Sequence, residues 1–169
     1  MAVKTLVTLD EYLGTTYEGT DREFVEGEVV ERSMPTYDHG EMQMHWGVII
    51  HELKRHGLPL RAVSEVRLRV SGERVRVPGV AIYAGPRPEE RVPSIPPLAA
   101  IEILSPDDRM IQVLEKLREY DDCGVAHIWL IDPEKRELYC YADGNLIAVR
   151  EFTLPEYSVT IAHETIFSI

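Results

Sequence analysis

Leu98-Ala99-Ala100-Ile101-Glu102-Ile103-Leu104, followed at once by Ser105-Pro106-Asp107-Asp108, is the stretch that decides the fold. The first seven residues form a short apolar run suited to a buried strand. The next four open a helix: Ser105 is a good N-cap, Pro106 suits the first helical position, and Asp108 completes a Ser-x-x-Asp variant of the capping box. Glu102 breaks the apolar run. An ionised carboxylate is seldom buried without a cation, a metal or several donors to offset its lost hydration. Glu102 is therefore the first candidate for chemistry, unless it lies on an edge strand or simply pairs with a nearby arginine.

Working outward, the helix is expected over Pro106–Asp122, with Gly124 as its stop. At 100° per residue Met110, Val113, Leu114 and Leu117 gather on one face, with Arg109, Gln112, Lys116 and Tyr120 on an arc beside it. A helix leaving a strand normally doubles back along it. Glu102 lies roughly 10 Å before the turn at strand rise. Gln112 and Lys116 lie roughly 10 Å and 16 Å past Ser105 at helical rise. Glu102, Gln112, Lys116 and Tyr120 are thus expected on one side of a sheet as candidate catalytic groups.

Elsewhere, Thr8-Leu9-Asp10-Glu11 reads as a capping box for a short helix ended by Gly14, and Arg22–Arg32 as a strand or hairpin around Gly27. Asp38 with Glu41 is expected to open a long helix, about His39–His56, carrying Met42, Trp46, Ile49, Ile50 and Leu53 on its apolar face and closed by Gly57. Strands are expected at Arg61–Val70, Arg74–Ala84, Leu98–Leu104, Ala126–Asp132, Glu137–Ala142 and Leu146–Phe152. The proline-rich Gly85–Pro97 reads as a loop.

Composition limits the function. The 169 residues are 44% hydrophobic and 28% charged, as expected of one soluble domain spanning 1–169. The N-terminal Met-Ala-Val-Lys-Thr-Leu-Val-Thr has no signal-peptide pattern and no apolar run reaches membrane-spanning length, so a cytoplasmic protein is expected. Cys123 and Cys140 lack CxxC or zinc spacing and read as reduced thiols. No P-loop, GxGxxG, GxSxG or HExxH pattern occurs. Among the six histidines only His39, beside Asp38, is kept as a candidate.

Net charge is −11, but residues 51–91 hold nine Lys or Arg against five acids, a local excess of +4 that leaves −15 on the remainder. This segment is either a solvated hairpin or a phosphate-binding face, with Arg67 and Arg74 as candidate contacts.

The order helix, three strands, helix, strand, with an acid in the third strand, resembles the PD-(D/E)XK restriction-endonuclease-like superfamily and, within it, a large bacterial family of uncharacterised Uma-type proteins. Leu9-Asp-Glu-Tyr-Leu13 is similar to the family's opening, Glu23-Phe-Val-Glu-Gly-Glu28 to its early Gly-Glu motif, His39 to its helix-start histidine, Pro78-Gly-Val-Ala-Ile82 to its Pro-Asp strand, and Ile101-Glu-Ile-Leu-Ser-Pro106 to its Glu strand. Lys116-x-x-x-Tyr120, Gly124-Val125 and Trp129-Leu-Ile-Asp-Pro133 resemble its closing signature. The resemblance implies an α/β fold with a mixed, curved sheet, a core at about 38–132, an N-terminal helix and hairpin, and extra C-terminal strands.

It further implies a DNA endonuclease in which an Asp and a Glu on adjacent strands hold Mg²⁺ or Mn²⁺ while a Lys steadies hydroxide or phosphate. Glu102 matches the second acid. Leu104 stands where the lysine is usual, and Lys116 is positioned to replace it. The expected Asp after Pro78 is Gly79, so Glu23 and Glu65 become the candidates to join Glu102 as metal ligands. A homo-oligomer, specifically a dimer, is also implied. The competing expectation is a catalytically silent descendant serving as a nucleic-acid-binding or assembly module.

Overall fold

The computed structural model describes residues 6–169, so the first five residues of the stretch read for a signal peptide lie outside it. In chain order the elements are α1 (Leu9–Gly14), β1 (Glu23–Val25), β2 (Glu28–Val30), α2 (Tyr37–Arg55), β3 (Leu60–Ser64), β4 (Leu68–Ser71), β5 (Arg74–Arg76), β6 (Val80–Ala84), β7 (Ala99–Ile103), α3 (Met110–Asp122), β8 (His127–Asp132), β9 (Glu137–Ala142), β10 (Asn145–Val149), β11 (Glu151–Leu154), β12 (Val159–Ala162) and α4 (His163–Ile166). Six strands form the main sheet in the order β10-β9-β8-β7-β6-β3; β7 and β8 are parallel and the other neighbours antiparallel. A four-stranded sheet, β2-β1-β5-β4, and the hairpin β11-β12 complete the architecture.

Strand alternation divides the core. Apolar residues at alternate positions point to opposite faces: Ala99, Ile101, Ile103, Trp129 and Ile131 join Met42, Trp46 and Ile50 of α2. Ala100, Ile128 and Leu130 face the other way, against Val113, Leu117 and Tyr120 of α3. Glu102 shares the Ala100 face by its parity, which is how a central strand delivers an acid towards α3. The Trp129 and Phe152 rings stack with centroids 4.4 Å apart and seat the C-terminal hairpin on the α2 side.

Several expected boundaries need correction. Arg61–Val70 and Arg74–Ala84 are each two strands, one in each sheet. Glu65, at φ 56°, breaks the first, and Val77-Pro78-Gly79 breaks the second, so the hairpin bends from one sheet into the other. Leu146–Phe152 likewise divides between β10 and β11. Thr36, not Asp38, caps α2, accepting the His39 amide at 3.3 Å. Asp108 does accept the Ser105 amide, at 2.8 Å, but this closes a separate turn. Arg109 is extended, and α3 starts at Met110. Of the four residues expected on its apolar face, Val113 and Leu117 are buried, together with Tyr120, whereas Met110 and Leu114 are exposed.

Candidate functional site

The Glu102 carboxylate, only 9% exposed as a residue, meets two donors from α3. Tyr120 donates its hydroxyl to Oε1 at 2.6 Å, and the Lys116 ammonium lies 2.9 Å from the same oxygen. Tyr120 and Lys116 are four residues apart, one helical turn, which aims both side chains at one point. Burial and the nearby Glu102 and Glu23 charges push the Tyr120 phenol well above its ordinary pKa, so it remains a neutral donor.

Lys116 also bridges to the second sheet, lying 3.0 Å from Glu23 Oε1. Burial opposes its charge, but Glu102 and Glu23 outweigh that effect and hold the ammonium above its usual pKa. Glu23 is fully engaged. Its Oε1 also accepts the Val77 amide at 3.0 Å, and its Oε2 accepts Arg76 Nη1 at 2.9 Å. Burial works against ionisation of Glu23; Lys116, Arg76 and the Val77 amide overcome it and lower the carboxyl. Arg76 in turn grips Glu119 through two bonds of 2.6 Å and 2.9 Å.

Glu65 stands next to the cleft around Glu102, bound to Arg32 of its lining. Arg32 donates to both of its oxygens, and Gln43 donates to Oε1 at 2.6 Å and to the Gly79 carbonyl at 3.0 Å. Burial would raise the Glu65 carboxyl, yet the nearby His39 and the donors Arg32 and Gln43 lower it to about 2. His39 Nε2 lies 3.9 Å from Glu65, beyond direct hydrogen-bond reach, and its Nδ1 lies 3.4 Å from Ser105 Oγ. Gln112 lines the same cleft of about 250 Å³ as Glu102, Lys116 and His39.

The two arginines read as phosphate contacts are held elsewhere. Arg67 forms a bidentate pair with Asp21, at 2.7 Å and 2.6 Å, and lies 4.4 Å from the Tyr12 ring centroid. Arg74 is bound to Glu26, Glu115 and Glu119. Sequence reasoning missed Arg32, Gln43, Arg76 and Glu119. For Arg76 a signal existed: Arg74 and Arg76 share one strand face, and Glu115 and Glu119 share one helix face.

Gly79 explains the local backbone. Val80 pairs with Ile101, so extending that antiparallel register by one residue sets Gly79 opposite Glu102. An added Cβ at position 79 would stand 3.2 Å from the Ile101 carbonyl oxygen, a close backbone approach. No second acid stands beside Glu102 on the neighbouring strand. Among the described residues no group of three or more His, Cys, Asp or Glu is placed to hold a metal ion. Every oxygen of Glu23 and Glu65 already meets a donor, so the set Glu102, Glu23 and Glu65 does not fit Mg²⁺ or Mn²⁺ in this arrangement.

A crystal structure described as that of "a putative nuclease" from Anabaena variabilis is similar to this chain, with TM-score 0.83 and 24% identity, over 96% of this chain and 98% of that one; this likeness shows a shared fold. No curated protein matches the chain. Among the described residues no helix is long and apolar enough to cross a membrane. The family model Uma2, described as "Putative restriction endonuclease", matches residues 9–166, nearly the whole length, and the chain belongs to that family.

Proposed function

We propose that this chain is a nuclease-fold protein that has lost metal-dependent phosphodiester hydrolysis and acts as a nucleic-acid-binding or assembly module, working as one domain over residues 1–169. The observation that carries this reading is Gly79 opposite Glu102, where a second carboxylate would complete a metal site. One carboxylate oxygen pair holds a hydrated divalent ion weakly. The charge that a metal would supply between Glu102 and Glu23 comes instead from Lys116. DNA is the nucleic acid that the family description suggests.

A second reading, a Mg²⁺- or Mn²⁺-dependent DNA endonuclease, is favoured by one specific feature. Arg32 pairs directly with Glu65, and the charges of Glu102 and Glu23 also raise its pKa, so one cation of the cleft feels three carboxylates. That reading requires Glu65 and Glu23 to release their present donors before they could join Glu102 as ligands, with Lys116, Gln112 and Tyr120 lining the place of the phosphate.

Plasmid cleavage and Mn²⁺-dependent thermal stabilisation separate the two. Wild type is expected to show neither, whereas a folded Gly79→Asp protein, if its backbone yields to the added Cβ, gains a Mn²⁺-dependent rise in melting temperature that Glu102→Ala abolishes. Wild-type cleavage that requires Mn²⁺ and disappears in Glu102→Ala would overturn the silent reading and establish the second.

A further inference from the structure

We propose that the cleft between α2 and the open edge of β3 grips the phosphate backbone of a nucleic-acid strand, at a distance from Glu102. This rests on the nucleic-acid-binding reading above and specifies which surface carries it. The cleft has a volume of about 730 Å³, and Lys54, Arg61, Arg87 and Arg91 stand around it. All four are exposed. None has a carboxylate partner among the described residues; Arg61 donates only to the Gly85 carbonyl, at 3.3 Å. Two acids, Glu89 and Glu90, also line the cleft, and Glu90 accepts both the amide and the hydroxyl of Ser94. A net positive lining is therefore concentrated here, on a chain whose formal charge is −11.

Two further features suit a strand rather than a small anion. β3 ends the main sheet, so among the described residues one side of its backbone has no strand partner; the Leu60 amide turns back to the Leu58 carbonyl at 2.8 Å, and the edge beyond it faces the cleft side where phosphate oxygens could meet it. The cleft also continues along β3 into a shallower recess, sharing Gly47, His51, Ala62 and Val63 with it and reaching Gln43, which bonds to Glu65. From Leu60 to Ser64 this path is roughly 13 Å at strand rise. Exposed Met44 and Val48 line the recess and offer apolar surface to bases. A strand held at Lys54 and Arg61 would thus run towards the Glu102 cleft.

The test is fluorescence anisotropy with a labelled 20-nucleotide DNA strand in EDTA, between about 50 and 200 mM salt, where three or four phosphate contacts give a log–log salt slope of about −2 to −3. Combined Lys54→Gln, Arg61→Gln, Arg87→Gln and Arg91→Gln is expected to weaken binding at least tenfold at the lowest salt and to flatten the slope. A triple variant that keeps Arg61, and with it the Gly85 bond, should show most of the loss. Arg109→Gln, an exposed cation of the Glu102 cleft, should bind as wild type does. If wild type binds and the folded quadruple variant binds equally, or if Arg109→Gln shows the larger loss, this assignment is wrong although nucleic-acid binding stands. If wild type does not bind at the lowest salt, both fail.

Discussion

The Glu102 cleft and the α2–β3 cleft are both rich in charge, yet they treat it oppositely. At the first, Glu23 and Glu102 are matched by Arg76 and Lys116 through direct ion pairs, and Arg32 of the lining is matched by the adjacent Glu65. At the second, Lys54, Arg61, Arg87 and Arg91 have no such partners among the described residues. The lesson concerns what a basic segment means. Residues 51–91 contain both kinds of cation, and only the unmatched ones remain available to an outside anion.

Deleting a matched cation should therefore cost stability, and deleting an unmatched one should not. The largest effect is expected for Arg76→Met, which strands Glu23 and Glu119, 4% and 7% exposed, beside fewer donors. A loss of about 3–5 kcal/mol is expected in urea unfolding. A stability close to wild type would show that the buried network is far more adaptable than its geometry suggests.

Arg67→Ala should come next. It removes the bidentate bond to Asp21 and the contact with Tyr12, an expected loss of about 1.5–3 kcal/mol. Arg87→Ala, on the unmatched side, is expected to stay within about 0.5 kcal/mol of wild type in the same assay. Equal losses for the two would erase the distinction between the clefts.

A smaller effect should appear with pH. The Glu65 carboxyl falls from 4.5 to about 2 in the fold, so its contribution is full above the unfolded value and fades as pH drops from about 4.5 towards 2. Glu65→Gln should flatten the acid limb of a melting-temperature profile over that interval. An unchanged limb would place the acid sensitivity on other carboxylates.

Much of this was legible in the sequence, for local reasons. The Thr8–Glu11 capping box is present, and α2 buries Met42, Trp46, Ile49 and Ile50 as its periodicity requires. The rises of strand and helix match Gln112 to Glu102 and leave Lys116 to reach back; in the structure Lys116 and Tyr120 touch Glu102 while Gln112 lines the same cleft, because α3 starts four residues later, at Met110. What was illegible depends on distant partners. Arg76 meets Glu23 and Glu119, 53 and 43 residues away, and no local pattern encodes such pairings. The bend at Glu65 was hidden too, because left-handed backbone at a glutamate leaves no compositional mark of the kind that a glycine would. Residues 155–169 gave no strand signal strong enough to read, and their position depends on packing against Trp129 and Phe152.

The bent hairpin has a mechanical consequence. β3 and β6 belong to the main sheet with Glu102, while β4 and β5, continuing the same two chain segments, belong to the small sheet with Glu23 and Arg76. The hairpin acts as a fulcrum with two pivots, Glu65 on one arm and Val77-Pro78-Gly79 on the other. Gln43 clasps both pivots at once through the Glu65 carboxylate and the Gly79 carbonyl. A small rotation at these points would be levered into a change in the gap between Glu23 and Glu102, the gap that Lys116 spans.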